Sequence, residues 1–148
     1  MVRRRQVEVK KIFLDSSVLF SAVNSPTGGS ARLFTLKNSK LLTSTLVLTE
    51  VERNVREKLQ THHLERFFIL VEKIRIIEGK PDERLIAKAK KVIVEKDAAI
   101  LSEAKRSKAR ILVTLDRKHF FTDKAKEFFH PGKIKTPKDI FSDDKIGK

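Results

Sequence analysis

Four acids in this chain occupy positions where chemistry is possible. Asp15 follows the apolar run Ile12-Phe13-Leu14, and Asp116 closes the run Ile111-Leu112-Val113-Thr114-Leu115-Asp116. Both runs read as buried strands, and open α/β sheets bind ligands in the crevice outside the carboxyl ends of their strands. Glu50 sits in an amphipathic helix among Val47, Leu48 and Val51. An acid so near a buried stripe is costly unless paired or bound to metal. Asp97 follows Glu95-Lys96 at a predicted helix start. Taken singly, Asp15, Asp97 and Asp116 would serve equally well as helix caps. Taken together they repel, since two carboxylates about 4 Å apart do so by about 4 kcal/mol at an effective dielectric of 20. Such a cluster must bind protons or a cation. Oxygen-only ligands select Mg²⁺ or Mn²⁺ over zinc or copper. A carboxylate-held ion of this kind suits phosphoryl chemistry. The hydroxyls of Ser17 and Thr114 are placed to orient a carboxylate, a water or a phosphate.

Charge points to an anionic partner. The 148 residues carry 33 Lys and Arg against 19 Asp and Glu, a formal charge of +14, and nucleic acid is the commonest polyanion such a protein meets. The alternative is a solvated surface of the heat-stable type, which the absence of cysteine and the single methionine also suit. With no cysteines, disulfides, thiolate zinc sites and cysteine nucleophiles are excluded. No apolar run approaches the roughly 20 residues of a membrane helix. The basic start Met1-Val2-Arg3-Arg4-Arg5-Gln6 lacks the apolar stretch of a signal peptide. A cytoplasmic location is the expectation.

The elements that must position these acids alternate. Strands are expected at 9–15, 40–43, 75–77 and 110–114, with Lys133-Ile134-Lys135 as an edge strand. Helices are expected over 16–23, from Ser30, from Ser44 or Thr45, over about 62–74, from Pro81 to about 92, over 97–108 and around 122–129. Helices alternating with short apolar strands imply a parallel sheet covered on both faces. Residues 1–141 form one expected domain. Pro137 to Phe141 reads as a single docked turn, and 142–148 as a polar, frayed tail.

The pieces Phe13-Leu14-Asp15-Ser16-Ser17-Val18-Leu19, Thr43-Ser44 leading to Glu50-Val51, Lys96-Asp97-Ala98-Ala99-Ile100-Leu101 and Val113-Thr114-Leu115-Asp116-Arg117-Lys118-His119-Phe120 follow one another in a known order. In them the chain resembles the PIN-domain family, which includes toxin–antitoxin ribonucleases of the VapC type. Gly28-Gly29-Ser30-Ala31-Arg32-Leu33 resembles a toxin-like branch of it. The resemblance implies a three-layer α/β/α sandwich with a central parallel sheet. It implies Mg²⁺- or Mn²⁺-dependent cleavage of single-stranded RNA, leaving 5′-phosphate and 3′-hydroxyl ends. By position it assigns Asp15, Glu50, Asp97 and Asp116 to catalysis and metal binding, with Ser17 and Thr114 in support. It also implies an antitoxin partner and a homodimer.

Two other classes compete. One is a PIN-like RNA-binding or interaction module without catalysis. The other is a phospho-accepting receiver or a dehalogenase-like phosphatase, but the latter wants a second acid two residues after Asp15, where Ser17 stands. The remaining acids, Asp123 included, read as surface charges. His119 reads as a surface histidine, and the four histidines show no zinc spacing. Each of the pairs Phe67-Phe68, Phe120-Phe121 and Phe128-Phe129 offers one inward ring.

Overall fold

Five strands form one parallel sheet: β1 (Lys10–Leu14), β2 (Ser39–Thr43), β3 (Arg75–Ile76), β4 (Ile111–Val113) and β5 (Lys133–Lys135). Their order across the sheet is β3-β2-β1-β4-β5. This is a computed structural model that describes residues 9–146, with side chains through 142; the basic residues 1–6 lie outside it. Ile12, Phe13 and Leu14 of β1 are buried, as is all of β4. Strands buried on both faces need continuous apolar runs, and that is why these two lack polar alternation.

The helical layers follow from the connections. Between β1 and β2 lie α1 (Ser16–Asn24), α2 (Gly29–Arg32) and a 3₁₀ turn at Leu33–Thr35, while α3 (Thr45–Lys58) and α4 (Thr61–Val71) lead to β3. Helices α1 to α4 pack on one another. The return to β4 carries α5 (Glu83–Ala89) and α6 (Glu95–Arg106), and α7 (Arg117–Phe120) and α8 (Asp123–Phe129) lead to β5. Helix α6 packs against both α5 and α8. The sheet is thus the middle of three layers, α/β/α. Chain order moves outward from β1 to β2 and β3, then jumps back across β1 to β4. Such a reversal is where open α/β sheets place their ligand crevice, here at the carboxyl ends of β1 and β4. The register pairs Leu14 with Val113, so Asp15 and Thr114 leave the sheet side by side.

Several boundaries differ from the sequence expectation, each for a local reason. Asp82 accepts the backbone N–H groups of Arg84 and Leu85 at 3.0 and 3.1 Å, so α5 starts after Pro81 rather than on it. Helix α6 starts two residues before Asp97, which therefore lies inside its first turn instead of capping it. A short α7, not expected, is capped by Asp116. The final turn is a longer helix, α9 (Pro137–Ile146), that continues into the expected tail. Thr136 and Asp139 cap it reciprocally: each backbone N–H donates to the other's side chain at 3.1 Å. Of the paired phenylalanines, Phe67, Phe120 and Phe129 point inward, while Phe68 is 46% exposed.

One acid expected at the surface is buried. Glu103 of α6 accepts from Arg106 Nη2 at 2.7 Å, and Arg106 also donates to the Glu78 and Gly79 carbonyls. The guanidinium straps the loop after β3 to the helix that carries Asp97. Removing one partner of a buried pair leaves a desolvated charge. Arg106→Ala is expected to lower unfolding free energy by about 3 kcal/mol in denaturant titration; a loss within experimental error would show that the strap holds nothing.

Candidate metal centre

Asp15 is the hub of the crevice. It stands at the N-cap position of α1, yet its side chain makes no capping bond there. Instead its Oδ2 accepts two hydroxyls, Ser17 Oγ and Thr114 Oγ1, each at 2.7 Å. Both hydroxyls are themselves held by the loop after β4. Ser17 Oγ accepts the Leu115 N–H at 3.1 Å, and Thr114 Oγ1 accepts the Asp116 N–H at 3.0 Å. Asp15 is only 3% exposed, and burial raises its pKa despite those hydrogen bonds. The charge of Glu50 pushes in the same direction.

Asp97 and Asp116 share the crevice but differ in character. Burial, followed by the charges of Asp15 and Asp116, raises the pKa of Asp97 to about 6. Asp116 is less buried. Burial pushes its pKa up, but the hydrogen bonds from the His119 ring and backbone outweigh it, and its pKa is lowered. Asp97 is 8% exposed, and its Oδ2 is buried without a hydrogen-bond partner. Orphaning a buried acceptor costs about 1–3 kcal/mol, and more when it is charged.

Of the six residues expected at the site, the structure joins Asp15, Ser17, Thr114 and Asp116 through hydrogen bonds. Asp97 joins them through charge and burial. Glu50, half-buried on α3, reaches the group through its charge at Asp15. Asp123 is exposed, as expected.

His119, expected at the surface, belongs here instead. Its Nδ1 lies 2.7 Å from Asp116 Oδ2 and 3.5 Å from Asp97 Oδ2, and the ring is half-buried. The three-residue step from Asp116 to His119, across one turn capped by that aspartate, was the available signal.

A divalent cation fits this donor set. Ligand atoms of Asp97, Asp116 and His119 all lie within 4.8 Å of one another. The orphaned oxygen of Asp97 and the like charges of Asp15 and Asp116 beside it are what a bound cation would relieve. Asp97 and Asp116 would hold such an ion, and the charges of Asp15 and Glu50 would add to the attraction.

The metal-free protein should report this strain through pH. Folding raises the Asp97 pKa from 3.8 to about 6, so within that window the folded state holds more protons than the unfolded state. Stability without metal therefore falls as pH rises through the window. Thermal melts with chelator are expected to show that fall, and Asp97→Asn is expected to reduce it, the part due to Asp15 remaining. A rise in stability over the same range, abolished by Asp97→Asn, would contradict the electrostatics described here.

A family model described as PIN domain matches residues 12–127. Among solved structures, VapBC2 from Rickettsia felis, bound to a DNA fragment from its promoter, is 18% identical with a TM-score of 0.66. That match covers 85% of this chain and 98% of the other. A toxin–antitoxin complex from Klebsiella pneumoniae is 20% identical with a TM-score of 0.64, covering 85% and 97%. VapC20 from Mycobacterium tuberculosis, a sarcin-ricin loop cleaving toxin, is 17% identical with a TM-score of 0.55, covering 72% and 91%. No curated protein matches the sequence. At these identities the solved structures show a common fold, and the family model spans the strands and helices that build the crevice; the chain belongs to the PIN-domain family.

Proposed function

We propose that this chain is a Mg²⁺- or Mn²⁺-dependent endoribonuclease that hydrolyses phosphodiester bonds in single-stranded RNA. The observation that carries the reading is the buried, partnerless oxygen of Asp97 beside Asp15 and Asp116, at the one place where the sheet order reverses. Asp15, Glu50, Asp97 and Asp116 supply the negative charge of the site. Ser17 and Thr114 hold Asp15 in place and tie it to the loop that carries Asp116. A bound divalent ion would neutralise the acids and polarise the phosphate. In hydrolysis the water oxygen bonds to phosphorus and the bond to the 3′ oxygen breaks. One water proton passes to a carboxylate of the group, and the departing 3′ oxygen takes up a proton from solvent to become a hydroxyl. Lys96, whose charge acts on Asp97 and Asp116, and the exposed Arg117 and Lys118 offer cations to the flanking phosphates.

The toxin role belongs to the same proposal. Solved toxin–antitoxin complexes share the fold, and a surface of charge +14 suits an acidic segment of an antitoxin as well as RNA. Phe68 and Ile69 expose apolar side chains on α4, a face suited to a protein partner, whether antitoxin or second copy. A cytoplasmic homodimer is the proposed state.

Mn²⁺ titration against a labelled single-stranded RNA tests the activity. Wild type is expected to cleave only with the ion. Asp97→Asn is expected to lose at least about a hundredfold in rate while still binding RNA, on the scale of losing one electrostatic group at a reacting centre. RNA binding by wild type without cleavage at any Mn²⁺ concentration would favour a non-catalytic module.

A further inference from the structure

We propose that His119 is a positioning residue for Asp116, holding that carboxylate in the attitude in which it and Asp97 face a divalent ion. The inference rests on the metal-dependent reading above.

Both oxygens of Asp116 are taken by this one residue. Oδ1 accepts the His119 backbone N–H at 3.1 Å, and Oδ2 lies 2.7 Å from the ring Nδ1. The first contact is an ordinary helix cap. The second is not needed for the cap, and it removes the remaining freedom of the carboxylate to rotate. An ionised carboxylate only accepts hydrogen bonds, so a 2.7 Å contact requires the proton to sit on Nδ1. A nitrogen that keeps its proton to donate a hydrogen bond to Asp116 offers no lone pair to a metal, so Nδ1 orients Asp116 and does not ligate the ion. Nε2 keeps its lone pair, and nitrogen coupling to Mn²⁺ distinguishes a ligand from a positioning residue.

The surroundings keep the ring where it is. Phe120, the next residue, is fully buried, and its N–H donates to the Asp116 carbonyl at 3.2 Å. The turn that bears His119 is pinned to the core by one side and to Asp116 by the other. The Nδ1 atom stands 3.5 Å from Asp97 Oδ2, too far to satisfy it, so that oxygen stays available. The orientation also travels inward. Asp116 donates its backbone N–H to Thr114 Oγ1, which donates to Asp15. One imidazole thus sets a carboxylate whose backbone is already fastened to the buried hub.

Three proteins and two readouts test this: wild type, His119→Ala and His119→Asn. Asparagine places an N–H donor at the same bond separation as Nδ1 but has no ring, and in all three proteins the backbone cap of α7 remains. Mn²⁺ affinity, read by electron paramagnetic resonance, is expected to fall about 10–100-fold in His119→Ala, the usual cost of losing an outer partner of a ligand, and to recover most of that in His119→Asn. In the metal-free wild type, ¹⁵N spectra of the ring are expected to show Nδ1 protonated. Three outcomes overturn the proposal. One is His119→Ala binding Mn²⁺ as tightly as wild type. Another is His119→Asn losing as much as His119→Ala while nitrogen coupling to Mn²⁺ appears in wild type, which makes His119 a ligand. The third is a ring unprotonated at Nδ1. Wild type that takes up no Mn²⁺ overturns the metal-dependent reading itself, and this inference with it.

Discussion

A carboxylate with 3% exposure at the carboxyl end of a central strand is the constraint around which this molecule is built. Asp15 is costly to bury, and its raised pKa records that cost. Two hydroxyls meet its Oδ2, and each of them is fixed in turn by a backbone N–H of the loop after β4. The arrangement exists only because β1 and β4 are neighbours in register, Leu14 beside Val113. Parallel pairing brings two strand ends to the same edge, and the reversal of strand order leaves the space above them uncovered. The fold thus creates an acid that is cheap to hold only while Ser17, Thr114 and the β4 loop all stay in place.

The same edge separates the other acids by environment. Asp97 meets burial and two like charges and holds its proton up to about pH 6. Asp116 meets the two donors of His119, which lower its pKa. Glu50 adds its charge from α3. A net charge of +14 over the chain does not cancel this local excess, because the cations around the crevice are exposed and screened. On the proposed function, a divalent cation would answer the local excess of negative charge and the net positive charge would favour a polyanion.

Much of this was legible in the residues. Apolar runs ending on Asp15 and Asp116 marked the central strands, because strands covered on both faces need continuous hydrophobic sequence. Ser44 marked the start of α3, accepting the Val47 N–H at 3.3 Å. What was missed depended on geometry that spacing alone leaves open. The helix carrying Asp97 was expected to begin at that residue, but α6 begins two residues earlier, so Asp97 lies buried inside its first turn. His119 looked like a surface histidine because a single capped turn of four residues is too short to show a periodic pattern. Glu103 looked solvated until Arg106 was seen to strap the loop after β3. The reciprocal cap of Thr136 and Asp139 was present as Thr-Pro-Lys-Asp, yet aspartate stands where the usual capping box has glutamate.

On the proposed function, Asp97 and Asp116 jointly hold a divalent ion. Anomalous diffraction from crystals grown with Mn²⁺ tests it most directly. One strong peak is expected about 2.1 Å from an oxygen of each of these two aspartates, the usual length for a small divalent ion on carboxylates. A peak elsewhere on the molecule, or none in the crevice with both carboxylates ordered, would contradict it.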